Sequence, residues 1–249
     1  MVNKILYLFF LAIYLIFATF LFVILWALSF LFDKKKKFLK YISMAYSYGI
    51  IRVNPMLRIK VIGKENMHKK TPYMMCSNHR GMLDIPLLNT LNLNMRWVAK
   101  RELYKMPFIG VVIKMRDDIA IDRGDASSAK MMFRRCKSEV ARGVSVAIFP
   151  EGTRSEDGKM HEFKDGAFIA AKMSGAPILP VVTYGTWEMG NIKESGKKLP
   201  ITLLVSILPE IPAEKVKSTP TKELTKYVYS IMLKEHKRIA PDVYKEDKK

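Results

Sequence analysis

The stretch "YMMCSNHRGMLDIP", Tyr73 to Pro86, joins an apolar run to a polar bend and then to the start of a second apolar segment. Tyr73 to Asn78 reads as a strand. Asp84 to Leu91 reads as a helix, with Pro86 in its first turn, where the missing N–H costs nothing. The same alternation repeats outward from this unit. Strands are expected at Leu57 to Gly63, Met95 to Lys100, Asp118 to Asp122, Val144 to Pro150, Pro177 to Gly185 and Ile201 to Ile207. Helices are expected at Pro107 to Met115, Ala126 to Arg142, Asp165 to Ser174 and Lys222 to Lys237. Short β-rich runs separated by helical ones predict an α/β fold with a largely parallel central sheet flanked by helices. In such sheets a ligand sits outside the carboxyl ends of the strands, which draws attention to the turns.

The opening stretch puts His79 and Asp84 five residues apart. On a straight helix that spacing leaves the side chains about 140° apart, and along a strand it sends them to opposite faces. A pair therefore requires a bend, and Gly81 is the residue best able to make one. Asp84 at a helix N-terminus is electrostatically favoured and could hold one imidazole nitrogen, leaving the other to accept a proton. Equally compatible with these residues alone is a capping aspartate beside a solvated histidine.

Two later turns are also rich in polar residues. In "IFPEGTRSEDGK", Gly152 and Thr153 offer backbone and hydroxyl donors, and Arg154 offers a planar fork that matches phosphate oxygens. Glu151 is unusual beside a phosphate; it could orient an arginine or receive a substrate hydroxyl, and a merely solvated turn is the alternative. In "IDRGD", Ile121 to Asp125, Arg123 could add a second cation. No Walker loop, GxGxxG or GxSxG is present. Cys76 and Cys136 are the only cysteines and have no CxxC or CxxH spacing, so neither a disulfide framework nor a metal site is expected, and Cys76 reads as an inert strand residue. His161 reads as a loop residue.

Composition narrows the partners. The 249 residues carry 42 Lys and Arg against 23 Asp and Glu, a net charge of +19, which suits an anionic partner. From Ile5 to Phe32 no residue is charged, and "DKKKK", Asp33 to Lys37, follows. A helix of that length reaches about 42 Å, against about 30 Å of hydrocarbon, so the segment is expected to span a membrane or dip into it. It is too long for a signal-peptide core and lacks a small-residue cleavage site. The lysines place its C-terminal side in the cytoplasm and against anionic lipid. Lipid rather than nucleic acid is therefore the expected anionic partner. Phe38 to Ile51 has approximate helical spacing and tyrosines suited to the headgroup boundary, so it is expected to be a second, interfacial helix or else an ordinary core helix.

Taken in order, "NHRGMLD", "AIDR", "FPEGTRS" and "APILPV" resemble the four-block signature of the glycerolipid acyltransferase family, most specifically its bacterial 1-acylglycerol-3-phosphate acyltransferases. The blocks run from Asn78 to Val181, with Leu179 where a β-branched residue is common. The uncharged segment and the α/β alternation divide the chain into an expected N-terminal membrane-anchoring helical region over 1–54 and an α/β domain over 55–249, which the resemblance, extending in type over most of residues 40 to 240, makes an acyltransferase domain. The resemblance implies His79 as general base and Asp84 as its orienting partner. Arg123, Glu151, Gly152, Thr153 and Arg154 would belong to the phosphate of the acceptor, and Pro180 to the block tied to the acyl donor.

The implied reaction moves a fatty acyl group from a thioester, acyl-CoA or acyl-acyl carrier protein, to the sn-2 hydroxyl of lysophosphatidic acid, giving phosphatidic acid. Backbone donors near the bend would hold the oxyanion. No cofactor or metal is expected, and membrane phospholipids are the expected surroundings, with the catalytic domain on the cytoplasmic face of the cytoplasmic or inner membrane. Met82, Leu83, Met106, Phe108 and Met115 could line an acyl groove or simply fill the core. A sibling enzyme acting on glycerol 3-phosphate or another lysolipid shares every block, and a noncatalytic phospholipid-binding protein is the rival of a different class.

Overall fold

The computed structural model describes residues 2–32, 42, 45–46, 48–51, 57–107 and 109–244. Seven strands form one sheet: β1 Leu57–Ile62, β2 Met74–Ser77, β3 Met95–Lys100, β4 Ile119–Ile121, β5 Ser145–Ile148, β6 Ile178–Tyr184 and β7 Ile201–Ile207. All seven fall where the sequence pattern puts them. Their order is β1-β7-β6-β2-β5-β3-β4. Every neighbouring pair is parallel except β6 and β7, which run antiparallel. The sheet is thus largely parallel, as expected, with one reversed step.

The helices are α1 Val2–Phe32, α2 Asp84–Asn89, α3 Ile109–Arg116, α4 Ala126–Ala141, α5 Gly166–Ser174, α6 Thr186–Gly190, α7 Ile192–Ser195, α8 Ala213–Ser218 and α9 Thr221–Ile239. The three short helices α6, α7 and α8 have no counterpart in the sequence reading. Asp125 caps α4, its carboxylate accepting the Ser127 N–H at 2.8 Å, which satisfies a donor the helix leaves unpaired.

Successive strand residues supply two cores. Met74 and Cys76 join Met132, Cys136, Phe168, Leu224, Val228 and Met232 from α4, α5 and α9 on one face. Tyr73 and Met75 join Leu87, Leu88, Leu91 and Trp97 on the other. This is the period of two that a pleated strand imposes. Burying a Leu or Met side chain contributes about 1.5–3 kcal/mol, so a central sheet covered on both faces makes a firm platform for the turns at its edge.

α1 forms a continuous helix of 31 residues. Tyr14 Oη donates to the Tyr46 carbonyl at 2.7 Å, and Thr19 lies 3.2 Å from the Tyr46 hydroxyl. The described residues Ile50 and Ile51 are helical, and Ile51 is buried in the core beside Tyr73. The expected second helix therefore contributes at least one core residue. The rest of it, like the lysines of "DKKKK", lies largely outside the described residues. Among the residues whose side chains are described, no uninterrupted stretch is long and apolar enough to cross a membrane.

Candidate active site

β2, β5 and β6 run parallel across the middle of the sheet, and the turns leaving their carboxyl ends meet. Asn78 ties the first to the third: its Nδ2 donates to the Thr183 carbonyl at 3.0 Å, and its Oδ1 accepts the Thr183 N–H at 2.7 Å. The chain then bends through His79 to Leu83 and enters α2 at Asp84.

The bend makes the pair that the spacing alone could not. His79 Nδ1 lies 2.7 Å from Asp84 Oδ2. The same oxygen accepts the N–H groups of Arg80 at 2.6 Å and Gly81 at 2.8 Å, while Oδ1 accepts the Thr186 hydroxyl at 2.5 Å. Thr183 Oγ1 stands a further 3.5 Å from Oδ1. Asp84 is fully buried, and four close donors offset the cost of burying a carboxylate. With Nδ1 donating to Asp84, the imidazole carries its proton there and presents the Nε2 lone pair. The ring stacks on Phe149 with centroids 4.0 Å apart, and Phe149 stacks on Trp97. Its side chain is 18% exposed, so the ring is held on one side and open on another.

Gly81 is needed here for a reason other than bending. Its φ lies outside the left-handed region, but a Cβ at this position would stand 2.7 Å from the Thr186 carbonyl oxygen. Only a residue without a side chain lets the two backbones approach so closely.

Glu151 departs from the role expected of it. It is buried, and its two oxygens accept the His79 N–H at 2.7 Å and the His161 N–H at 2.9 Å. Burial pushes its carboxyl up to about 7 against the pull of those donors. Its two oxygens brace the His79 bend from within the protein. The Ser155 N–H, donating to the His79 carbonyl at 2.9 Å, adds a second strut from the same turn. Gly152, with φ +78°, makes the turn possible, but its N–H donates to the Phe149 carbonyl and is not available to a ligand. The backbone oxyanion donors expected near the bend are likewise not those of residues 79 to 81, because all three N–H groups are engaged by Glu151 and Asp84.

The remaining candidates face solvent. Thr153, Arg154 and Arg123 are exposed, and neither arginine has a hydrogen bond or ion pair among the described residues. Arg154 stands in the turn after β5. Arg123 follows β4, two strand spacings from β5, a lateral distance of about 10 Å. The two cations share the edge of the sheet without sharing one turn. Lys164 is a further cation that sequence reasoning missed; its Nζ lies 3.3 Å from where a Gly152 Cβ would stand. Nothing in "FKDG" marks it, because only the fold brings it over the "EGT" turn.

Arg80 was also passed over. Its side chain is buried, with Nη2 on Glu188 Oε1 at 2.7 Å and Nε on the Gly158 carbonyl at 2.9 Å, and its guanidinium lies 5.1 Å from the Tyr184 ring centroid. Glu188 comes from α6, a hundred residues away, and no local signal could pair them. Met82 is exposed, as is Met106, so neither is core filling; Phe108 lies outside the described residues. Cys76 and Cys136 are free and buried, and burial raises both thiols to about 12. Among the described residues no cluster of His, Cys, Asp or Glu has the makings of a metal site.

The acyltransferase family profile matches residues 58–184, which include His79, Asp84 and Glu151 but stop short of Thr186 and Glu188. A chloroplastic 1-acyl-sn-glycerol-3-phosphate acyltransferase of Brassica napus is 35% identical over 170 residues, 68% of this chain and 48% of the relative. The 1-acyl-sn-glycerol-3-phosphate acyltransferase alpha of Ovis aries is 31% identical over 201 residues, 79% of this chain and 67% of the relative. A 1-acyl-sn-glycerol-3-phosphate acyltransferase of Borreliella burgdorferi is 33% identical over 132 residues, 52% of each. The chain spans about half the length of the plant relatives it matches. In fold it is similar to the crystal structure of the 1-acyl-sn-glycerophosphate acyltransferase PlsC of Thermotoga maritima, with a TM-score of 0.76 at 24% identity, covering 98% of this chain and 96% of that one. On this sequence similarity, the chain belongs to the acyltransferase family.

Proposed function

We propose that this protein transfers a fatty acyl group from a thioester, acyl-CoA or acyl-acyl carrier protein, to the sn-2 hydroxyl of lysophosphatidic acid, forming phosphatidic acid. The observation that carries the reading is the His79 Nδ1 to Asp84 contact of 2.7 Å, which fixes the tautomer with Nε2 as the acceptor. An alcohol is a weak nucleophile at neutral pH, so His79 Nε2 takes its proton as the oxygen attacks the thioester carbonyl. Asp84 stabilises the imidazolium that forms. Collapse of the tetrahedral intermediate expels a thiolate, which recovers the proton from Nε2. No acyl-enzyme is needed. Arg154 and Lys164 beside the "EGT" turn, with Arg123 farther along the edge, supply the positive charge for the acceptor phosphate. The names of the relatives support this acceptor, since each is called a 1-acyl-sn-glycerol-3-phosphate acyltransferase.

The N-terminal region, residues 1–54, is proposed to hold the α/β domain of residues 55–249 against the cytoplasmic face of the membrane. Phe9, Ile16, Phe17, Phe20 and Leu21 are all more than half exposed on α1, and an apolar surface of that extent is at home in lipid. Such an anchor keeps a lipid acceptor within reach without extraction from the bilayer.

The test is thiol release by the purified protein in mixed micelles containing lysophosphatidic acid and either donor. Release that depends on the acceptor supports the reading, and none with either donor overturns it. Deleting residues 1–32 should lower turnover on bilayer substrate; unchanged turnover would remove the anchor from the proposal.

A further inference from the structure

The chain beyond α9 folds back on the catalytic turns. Val243 N–H donates to the Ala240 carbonyl at 3.1 Å, and the turn so formed places Asp242 and Tyr244 against two different loops. Asp242 lies 2.9 Å from Lys197 Nζ and accepts the Tyr184 hydroxyl at 3.0 Å. Tyr184 is the residue on whose ring Arg80 rests. The Tyr244 hydroxyl accepts the Met160 N–H at 3.0 Å and pairs with His236 Nδ1 at 2.7 Å. His236 is fully buried on α9, and its ring stands edge-on to Tyr244.

Met160 belongs to a short segment that is gripped along its length. The Gly158 carbonyl accepts Arg80 Nε, the Met160 N–H goes to Tyr244, and the His161 N–H goes to Glu151 Oε2. The other oxygen of that same Glu151 holds the His79 N–H. A continuous path of hydrogen bonds and one peptide unit thus runs from the hydroxyl of Tyr244 to the backbone of the proposed base.

We propose that Tyr244 is a positioning residue for acyl transfer, the anchoring residue of a strap that fixes residues 158–161 and, through Glu151, the His79 bend. It touches neither substrate nor reacting atoms. Its hydroxyl is the only group given to the Met160 N–H among the described residues, and losing it leaves that amide without a partner. Misplacement of a base by a fraction of an ångström slows chemistry far more than it weakens binding. The proposal rests on the function assigned above only for its kinetic arm.

The experiment uses the full chain with Tyr244→Phe, Glu151→Gln and the double variant. Tyr244→Phe is expected to lower kcat about fivefold to tenfold with KM for both substrates unchanged and with a cooperative melt near that of the wild type. Because the two residues act along one path, the double variant should lose less than the product of the single losses. Amide exchange provides an arm independent of the reaction: Met160 and His161 should lose protection in Tyr244→Phe. Faster exchange there in a protein that transfers no acyl group would sink the assigned function and leave the strap standing. Unchanged exchange, a raised KM at constant kcat, or fully multiplicative losses would each overturn the strap.

Discussion

The bend of residues 79 to 84 and the cations at Arg154 and Arg123 sit on one edge of one sheet, yet they are built in opposite ways. In the bend, three consecutive N–H groups, both oxygens of Asp84 and both oxygens of Glu151 are already paired within the protein. At the cations nothing is paired among the described residues, and both are exposed. Groups that hold the bend are saturated by the fold, whereas the cations proposed to meet the acceptor phosphate are left unsaturated. Hydrogen-bond saturation therefore separates the two roles where charge alone does not: Glu151 and Arg154 are three residues apart in one turn and fall on opposite sides of the division.

That contrast can be broken most sharply at its centre. His79→Ala should reduce kcat by about 10³-fold, the usual worth of a positioned base, while leaving the fold intact; near-wild-type thiol release would remove His79 from the chemistry. Asp84→Asn tests whether charge matters beyond geometry. The amide oxygen can keep the three donors on the Oδ2 side while its nitrogen turns toward Thr186. The fold should then survive, and kcat should fall about 10²-fold, because the imidazolium loses its counter-charge. A variant that unfolds instead would show that the carboxylate is needed for architecture first.

Glu151→Gln probes the brace through pH. Burial raises the Glu151 carboxyl from 4.5 to about 7 in the folded protein, so the folded state holds its proton more tightly than the unfolded one. That contribution to stability is complete below pH 4.5 and is lost as pH rises through 7. Relative to the glutamine variant, the wild type should therefore lose about 3 kcal/mol of stability between those limits, read from denaturant midpoints. A difference independent of pH would mean that the carboxyl is not held as described. The gentlest effect belongs to the unsaturated side. Arg154→Ala should raise KM for the phosphorylated acceptor about tenfold, the worth of one charged hydrogen bond, with kcat and melting temperature unchanged. A loss of stability there would erase the distinction between the two regions.

Much of the fold is legible in the chain because buried strands between amphipathic helices leave a pattern. All seven strands fall as expected, from "LRIKVI" to "ITLLVSI". The reversal of β7 is not legible, since the alternation of a strand reads the same in either direction. The short helices α6 and α7 that permit the reversal are too brief to show a period. In the site, His79 and Asp84 announce only that a bend is required. What makes it is Thr183, Thr186 and Glu188, supplied from some hundred residues downstream, together with a Gly81 whose missing side chain answers to Thr186. Glu151 looked like a ligand contact because its neighbours in sequence are of that kind. Its burial, which decides otherwise, is a property of the assembled turns.

The two cysteines bear on how this chemistry can be watched. Both thiols are enclosed, and their ionisation is pushed up to about 12, so neither offers a thiolate to an electrophilic dye at neutral pH. The folded protein is thus optically silent toward thiol reagents. Every new signal in a continuous assay reports a leaving group released by turnover, and a slow rise toward two equivalents per chain in the absence of substrate reports unfolding.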